Sequence, residues 1–402
     1  MSRENGTGKA SEPLEMLHTH RADEPLGPPF LSTLKTGVPV WVVQRHPEAR
    51  QVLTDPRLNR ASLVAPDAPP HTPYPNLLTD PSILNNLDGE EHRRLRRTVS
   101  KAFAPRSIAL WRPWVASVVD DLIDRLMDKP QPADIISGFA SSLPSSVLSR
   151  LMGLDEFDRD RLANFCDHAF STTAFPPEQV QAVLGEFAAF GAEVVALRRA
   201  EPGDDLVSSL IKAADEDGGL PEEQIVGLVI LLTVAGHEVT TTVIGNTLVY
   251  LLTDGRDAWR ELARDESLAP IAAEQMLRGI SIGGDILPGF LRRAIEDVEI
   301  GGVLIKKGEI VAADTKIANL DPEVYPKDPR EAPLSALGTP HLALGAGPHY
   351  CLGAWLAKLE MELTLHRLPN RLPGLRLDVA PENIEWRPGQ MTRSPQTLPV
   401  SW

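Results

Sequence analysis

HLALGAGPHYCLGAWLAKLE, residues 341–360, sets one cysteine, Cys351, among glycines at 345, 347 and 353. A leucine stripe at 352, 356, 359 and 363 then predicts a helix that begins just after the cysteine. A thiolate at that point receives backbone N–H groups and the positive end of the helix, which lower its pKa and spread its charge. Gly345 and Gly347 let the backbone approach a flat cofactor face with no side chain between them. These are the requirements of a cysteine bound axially to haem iron. A lone cysteine is otherwise an inert core residue, and Cys166, in ANFCDHAF on an amphipathic helix, reads that way. A hydrolase nucleophile with His341 or His349 as base is the remaining reading of Cys351, although no oxyanion loop or third group accompanies it.

Working outward, the chain reads as mainly α with a small β portion, in a single domain spanning 14–402 after a small, polar segment 1–13 expected to be disordered. Val38-Pro-Val-Trp-Val-Val43 favours a strand, and Pro47 opens a short helix. APDAPPHTPYP (65–75) can be neither helix nor central strand, and is expected to be a surface loop over a binding site. From Glu90 to about Gly218 apolar residues recur at helical spacing. Pro221, Glu222 and Glu223 start a helix that reaches about Leu252. Its run IVGLVILLTVAG is strongly apolar, but it stops short of the roughly 18 residues a bilayer span needs. His237 and Glu238 also interrupt it at mid-length, so it is read as a buried core helix. DVEIGGVLIKKGEIV (297–311) predicts short paired strands, and Pro369 is expected to end the helix after Cys351.

Composition excludes several classes. With 40 Lys and Arg against 55 Asp and Glu, the net charge is −15, which does not suit general nucleic-acid binding. Two cysteines in 402 residues exclude a disulfide scaffold and suit a reducing compartment. The start, MSRENGTGKASEP, has no apolar signal core. The expectation is a soluble, cytoplasmic protein without a membrane.

The segment around Cys351 resembles the haem-binding loop of the cytochrome P450 superfamily, Phe-x-x-Gly-x-x-x-Cys-x-Gly, with Leu344, Gly347, Cys351 and Gly353 in register and Leu344 replacing the usual Phe. Further segments match the same family in order. EHRRLRRTVSKAFAP (91–105) is similar to the helix whose His-x-x-x-Arg pair, here His92 and Arg96, holds haem propionates; the two lie on one helix face. AGHEVTTT (235–242) resembles the oxygen-binding bend, where Ala235 and Gly236 leave room against the helix. RRAIEDVEIGG (292–302) resembles the strand carrying a propionate-binding arginine, Arg292, and His349 matches another propionate partner. The resemblance implies the P450 fold and haem b (iron protoporphyrin IX) ligated by Cys351. It also implies a small-molecule substrate and electrons from a separate ferredoxin or flavodoxin. The basic run Arg93, Arg94, Arg97 and Lys101 is expected to dock that acidic partner.

Departures from the family pattern are informative. Where the family places an acid followed by Thr, an acid–alcohol pair for proton delivery, this chain has Glu238 followed by Val239, with Thr240 one position late. One residue along a helix is about 100° of rotation, so Thr240 cannot occupy the same site; Glu238 and Thr240 are nevertheless the candidate catalytic residues. Thr241 and Thr242 are expected to bond backbone carbonyls. The family's structural Glu-x-x-Arg pair appears as Gln275 and Arg278; Glu274 is placed to take the arginine instead, and Gln275 can still accept a hydrogen bond without the charge. The reading is an oxygen-activating oxidase that tailors a microbial secondary metabolite by hydroxylation or aromatic coupling. The alternatives are a non-catalytic haem sensor or carrier and a peroxide-driven oxygenase.

Overall fold

The computed structural model describes residues 25–73, 79–154, 159–216, 220–283 and 289–402. The segment 1–13, the end of the proline-dense loop and residues 284–288 before Arg292 lie outside the described residues.

Phe30–Thr33 (β1) and Pro39–Val43 (β2) pair antiparallel, with Leu31 opposite Trp41, where β-branched residues predict a strand. His46–Thr54 (α1) carries Pro47 in its first turn. The chain continues through Leu58–Asn59 (β3), Gly89–Ser100 (α2), Pro105–Met127 (α3), Ala133–Asp134 (β4), Ser142–Met152 (α4), Arg159–Ala169 (α5), Pro177–Ala200 (α6) and Leu206–Glu216 (α7). Glu222–Leu252 (α8) comes next, with Pro221 at its cap and two glutamates in its first turn. Then come Arg256–Leu262 (α9), Ala269–Gly279 (α10), Phe290–Ala294 (β5), Val298–Ile300 (β6), Val303–Ile305 (β7), Ile310–Ala313 (β8), Thr315–Ala318 (α11), Ala354–Arg371 (α12), Arg376–Leu377 (β9) and Pro399–Ser401 (β10).

The 31-residue α8 is about 46 Å long at 1.5 Å per residue. Every residue from Thr240 to Leu252 is buried, so the C-terminal half of the helix is enclosed on all sides, as a core helix must be. Helices α4, α5, α6 and α7 pack around it. Both α6 and α8 are long and apolar enough to cross a membrane. In α8, however, the charge at mid-length is paired inside the protein, Glu238 with Arg387.

The main sheet has the order β1-β2-β8-β5-β3, with β2 and β8 parallel and the other neighbours antiparallel. It sets Arg292, in β5, beside β8 and β3. β6 and β7 form the expected hairpin, and its turn residues Gly301 and Gly302 both take positive φ, 54° and 81°. Pro369 does not end α12, contrary to expectation: the helix runs on to Arg371. So near the C-terminus the proline forfeits a single backbone hydrogen bond, and the Leu372 N–H closes the last turn on the Leu368 carbonyl.

Candidate active site

Cys351 sits between a short turn at Gly347–His349 and the start of α12. Its N–H donates to the Leu344 carbonyl at 2.8 Å, and the Gly345 N–H to that of Leu342 at 2.9 Å, so the loop is braced by its own backbone. The pKa of Cys351 is not lowered as expected: burial pushes its thiol up and outweighs the hydrogen bond from the Gly353 N–H and the nearby Arg96 charge, which oppose that rise. Gly345 and Gly347 both lie in the left-handed region, with φ 73° and 67°. For Gly347 the reason differs from the one expected. A Cβ there would sit 2.8 Å from the Leu53 carbonyl, so the missing side chain is required by packing against the end of α1. At Gly345 a Cβ would meet nothing closer than 3.6 Å, which leaves the left-handed backbone as its requirement. Leu344 is partly buried against the main core.

The basic residues expected to act together do converge on this loop. His92, in α2, is buried, and its ring centroid lies 4.4 Å from that of His349. One turn further along α2, Arg96 donates from Nη2 to the Tyr350 carbonyl, directly before the cysteine. Arg292 is 3% exposed, and His349 Nε2 lies 2.9 Å from Asp88 Oδ1. Burial, then the neighbouring His349 and Arg96, takes His92 down to about 4. Burial and the Arg60 charge take Arg292 down to about 9. Two members of the cluster escaped the sequence reading. Asp88 precedes α2 at a recognisable helix start, Asp-Gly-Glu-Glu, and could have been found from it. Arg60, in DPRLNRAS, carries no such signal.

On α8, Leu231, Ala235 and Val239 form a stripe at i, i+4 spacing that stays accessible, with Ala235 exposed and the other two partly buried. Gly236 does not widen this face as expected: a Cβ there would lie 2.9 Å from Leu148 Cδ2, so its space is filled by α4. Thr240 is buried, 6% exposed, and turned about 100° from Val239. The expected back-bonding of Thr241 and Thr242 is absent. Both hydroxyls are buried without a partner, whereas Thr233 does donate to the Val229 carbonyl at 2.8 Å. Glu238 points instead to the C-terminal segment. Arg387 Nη1 reaches its Oε1 and Oε2 at 2.9 and 3.0 Å, and the Thr392 hydroxyl donates to Oε1 at 2.6 Å. His237, beside it, is 4% exposed and taken down to about 4 by burial.

Arg278 does not turn to Glu274. Its Nε donates to Gln275 Oε1 at 3.0 Å and its Nη1 to the Asn319 carbonyl at 2.8 Å. Glu274 instead pairs with Lys358 at 2.7 Å and lies 3.4 Å from His341. An uncharged acceptor therefore holds the arginine where the family pattern has a carboxylate.

The family model for cytochrome P450 matches residues 284–373. The chain is 39% identical over 369 residues to nocardicin C N-oxygenase of Nocardia uniformis subsp. tsuyamanensis, covering 92% of this chain and 91% of that protein. It is 36% identical to the mycinamicin IV hydroxylase/epoxidase of Micromonospora griseorubida, covering 91% of this chain and 90% of that protein. The crystal structure of cytochrome P450mel 107F1, with biaryl coupling reactivity, superposes with a TM-score of 0.85 at 32% identity over 93% of each chain. With a thiolate loop, a converging basic cluster and full-length relatives of this similarity, the chain belongs to the cytochrome P450 family of haem-thiolate oxidoreductases.

Proposed function

We propose that this protein is a cytoplasmic haem b monooxygenase that tailors a microbial secondary metabolite, by hydroxylation or by coupling aromatic units, with electrons from a ferredoxin or flavodoxin. The observation that carries this reading is the convergence of His92 and Arg96 on the loop that carries His349 and Cys351, with the buried Arg292 close enough for its charge to bear on His349. The residues fit the cofactor. Cys351 would ligate iron, and the side chains of His92, Arg96, Arg292 and His349 would hold the two propionates. His92 Nε2, buried with no partner, has the position of a donor awaiting a carboxylate. When bound, the haem supplies the redox chemistry that activates dioxygen.

The chain's own residues set the room and the proton supply beside that group. Ala235 keeps the exposed side of α8 free of bulk, and Val239 makes the neighbouring turn apolar. Glu238 keeps an acid one residue away, held by Arg387 and Thr392. Proton supply then runs through Thr240, ordered water or a polar group on the substrate. The relatives' names span N-oxygenation, hydroxylation, epoxidation and biaryl coupling, which supports a tailoring role for this site. Exposed Arg93, Arg97 and Lys101 on and just after α2 support an acidic electron donor, although Arg93 also pairs with Glu90 at 2.6 Å.

The test is substrate-dependent electron consumption with a reduced ferredoxin, measured as salt is raised. Consumption that slows with salt, and slows further in Arg93→Glu with Arg97→Glu, is the expected result. Full turnover on hydrogen peroxide alone, or no substrate-dependent consumption, would replace this reading by the peroxide-driven oxygenase or the carrier.

A further inference from the structure

β3 and β5 pair antiparallel, with Leu58 opposite Ala294 and Asn59 opposite Arg293. Arg60, the next residue, turns out of the strand (φ −92°, ψ −35°) beside Arg292, the next residue on β5, and its charge bears on that arginine. Neighbouring positions across an antiparallel pair lie within reach of long side chains, and like charges there repel. Both guanidiniums are also out of water, since Arg60 is 7% exposed and Arg292 3%. Two buried like charges side by side need a compensating group.

The protein supplies only part of one. Arg60 Nη2 donates to Asn86 Oδ1 at 2.7 Å, but its Nε is buried without a partner. Arg292 Nη1 donates to the carbonyl of its neighbour Leu291 at 2.8 Å. Asp88 is the acid whose charge reaches both arginines, and its oxygens are already engaged. Oδ2 accepts the main-chain N–H groups of Arg60 and Ala61 at 2.6 and 2.9 Å, and Oδ1 lies 2.9 Å from His349 Nε2. Two guanidiniums therefore share one carboxylate. The surplus of one positive charge matches a single propionate.

We propose that Arg60 is a further cofactor-holding residue, which forms with the neighbouring Arg292 a paired guanidinium clamp for a haem propionate, while Asn86 and Asp88 hold Arg60 in position. This rests on the haem b reading above. The clamp explains why a residue with no family motif is buried and charged at this point: its repulsion with Arg292 is relieved only when an anion lies between them.

The test is haem transfer from the loaded protein to excess apomyoglobin, monitored at the Soret band, for wild type, Arg60→Gln and Arg60→Lys. A pyridine haemochrome of the wild type is recorded first, and absence of protoporphyrin IX there would refute the haem b reading itself. With haem b present, Arg60→Gln should lose haem about tenfold faster, as expected for one charge-assisted hydrogen bond. Arg60→Lys should recover part of the loss, because it keeps the charge without the fork. Removing a positive charge beside the propionates should also lower the iron's reduction potential, which a purely structural role would not do. A folded Arg60→Gln protein that transfers haem at the wild-type rate, or keeps the wild-type potential, overturns the proposal. Should Arg60→Gln not fold, Asn86→Ala loosens Arg60 without removing it; faster transfer is then expected, and the wild-type rate overturns the proposal.

Discussion

Arg387 grips both carboxylate oxygens of Glu238, at 2.9 and 3.0 Å, from the C-terminal end of a chain whose central helix carries the acid. The same arginine reaches Asp167 Oδ1, next to Cys166 in α5, at 2.7 Å. One side chain thus joins α5, α8 and the C-terminal segment at the acid expected to serve proton delivery. An arginine keeps its proton under all relevant conditions. In the proposed role, protons would reach Glu238 by way of hydroxyls or water, and the Thr392 hydroxyl at 2.6 Å is the one in place among the described residues.

Breaking this pair leaves Glu238, 1% exposed, as an uncompensated buried charge. Arg387→Gln should lower stability by about 3 kcal/mol, measured by urea unfolding. Adding Glu238→Gln removes the orphaned charge and should restore most of that loss. If the double variant is as unstable as the single one, the interaction is not what holds the C-terminal segment to α8.

Val239 removes the hydroxyl that the family's acid–alcohol pair provides, and Thr240 points elsewhere on the helix. Val239→Thr should shift the ratio of hydroxylated to coupled product and change the leakage of hydrogen peroxide, both measured against electrons consumed. If neither changes, protons do not pass this position. If Glu238→Ala also leaves turnover intact, the proton path through α8 is refuted.

Glu360, in α12, is 2% exposed, and burial alone pushes its carboxyl up to about 8. Between the ordinary carboxylate range and that value, the folded state binds more protons than the unfolded one, so this group makes stability fall as pH rises. Glu360→Gln should melt several degrees above wild type at pH 8 and level with it at pH 4. Parallel melting curves at both pH values would show that Glu360 does not titrate in this way.

Much of the fold and the haem-side cluster was legible in the residues because the signals are local. The glycines around Cys351, the leucine stripe after it and the i, i+4 pair His92 and Arg96 each depend on neighbours a few positions away. The partners of Glu238 were not legible, because Arg387 and Thr392 lie about 150 residues further on and no periodicity links them. Arg60 was missed for the same reason: it comes beside Arg292 only because the strand just before it pairs with β5. Gly236 and Gly347 were recognised as significant, but the atoms that need their space, Leu148 and the Leu53 carbonyl, belong to other helices. Gln275 shows the converse, since it keeps the hydrogen bond to Arg278 without the charge the family pattern uses.

Whether Cys351 is the iron ligand is decided by the carbon-monoxide difference spectrum of the reduced protein. The two cysteines differ in setting. Cys166 is fully buried in α5, where burial raises its thiol pKa far above the ordinary value, whereas at Cys351 the Gly353 N–H and the Arg96 charge oppose the rise that burial causes. Wild type and Cys166→Ala should both show the red-shifted Soret band of a thiolate-ligated haem, and Cys351→Ala should lose it. A red-shifted band that survives Cys351→Ala, or a wild-type band without the shift, would refute the assignment.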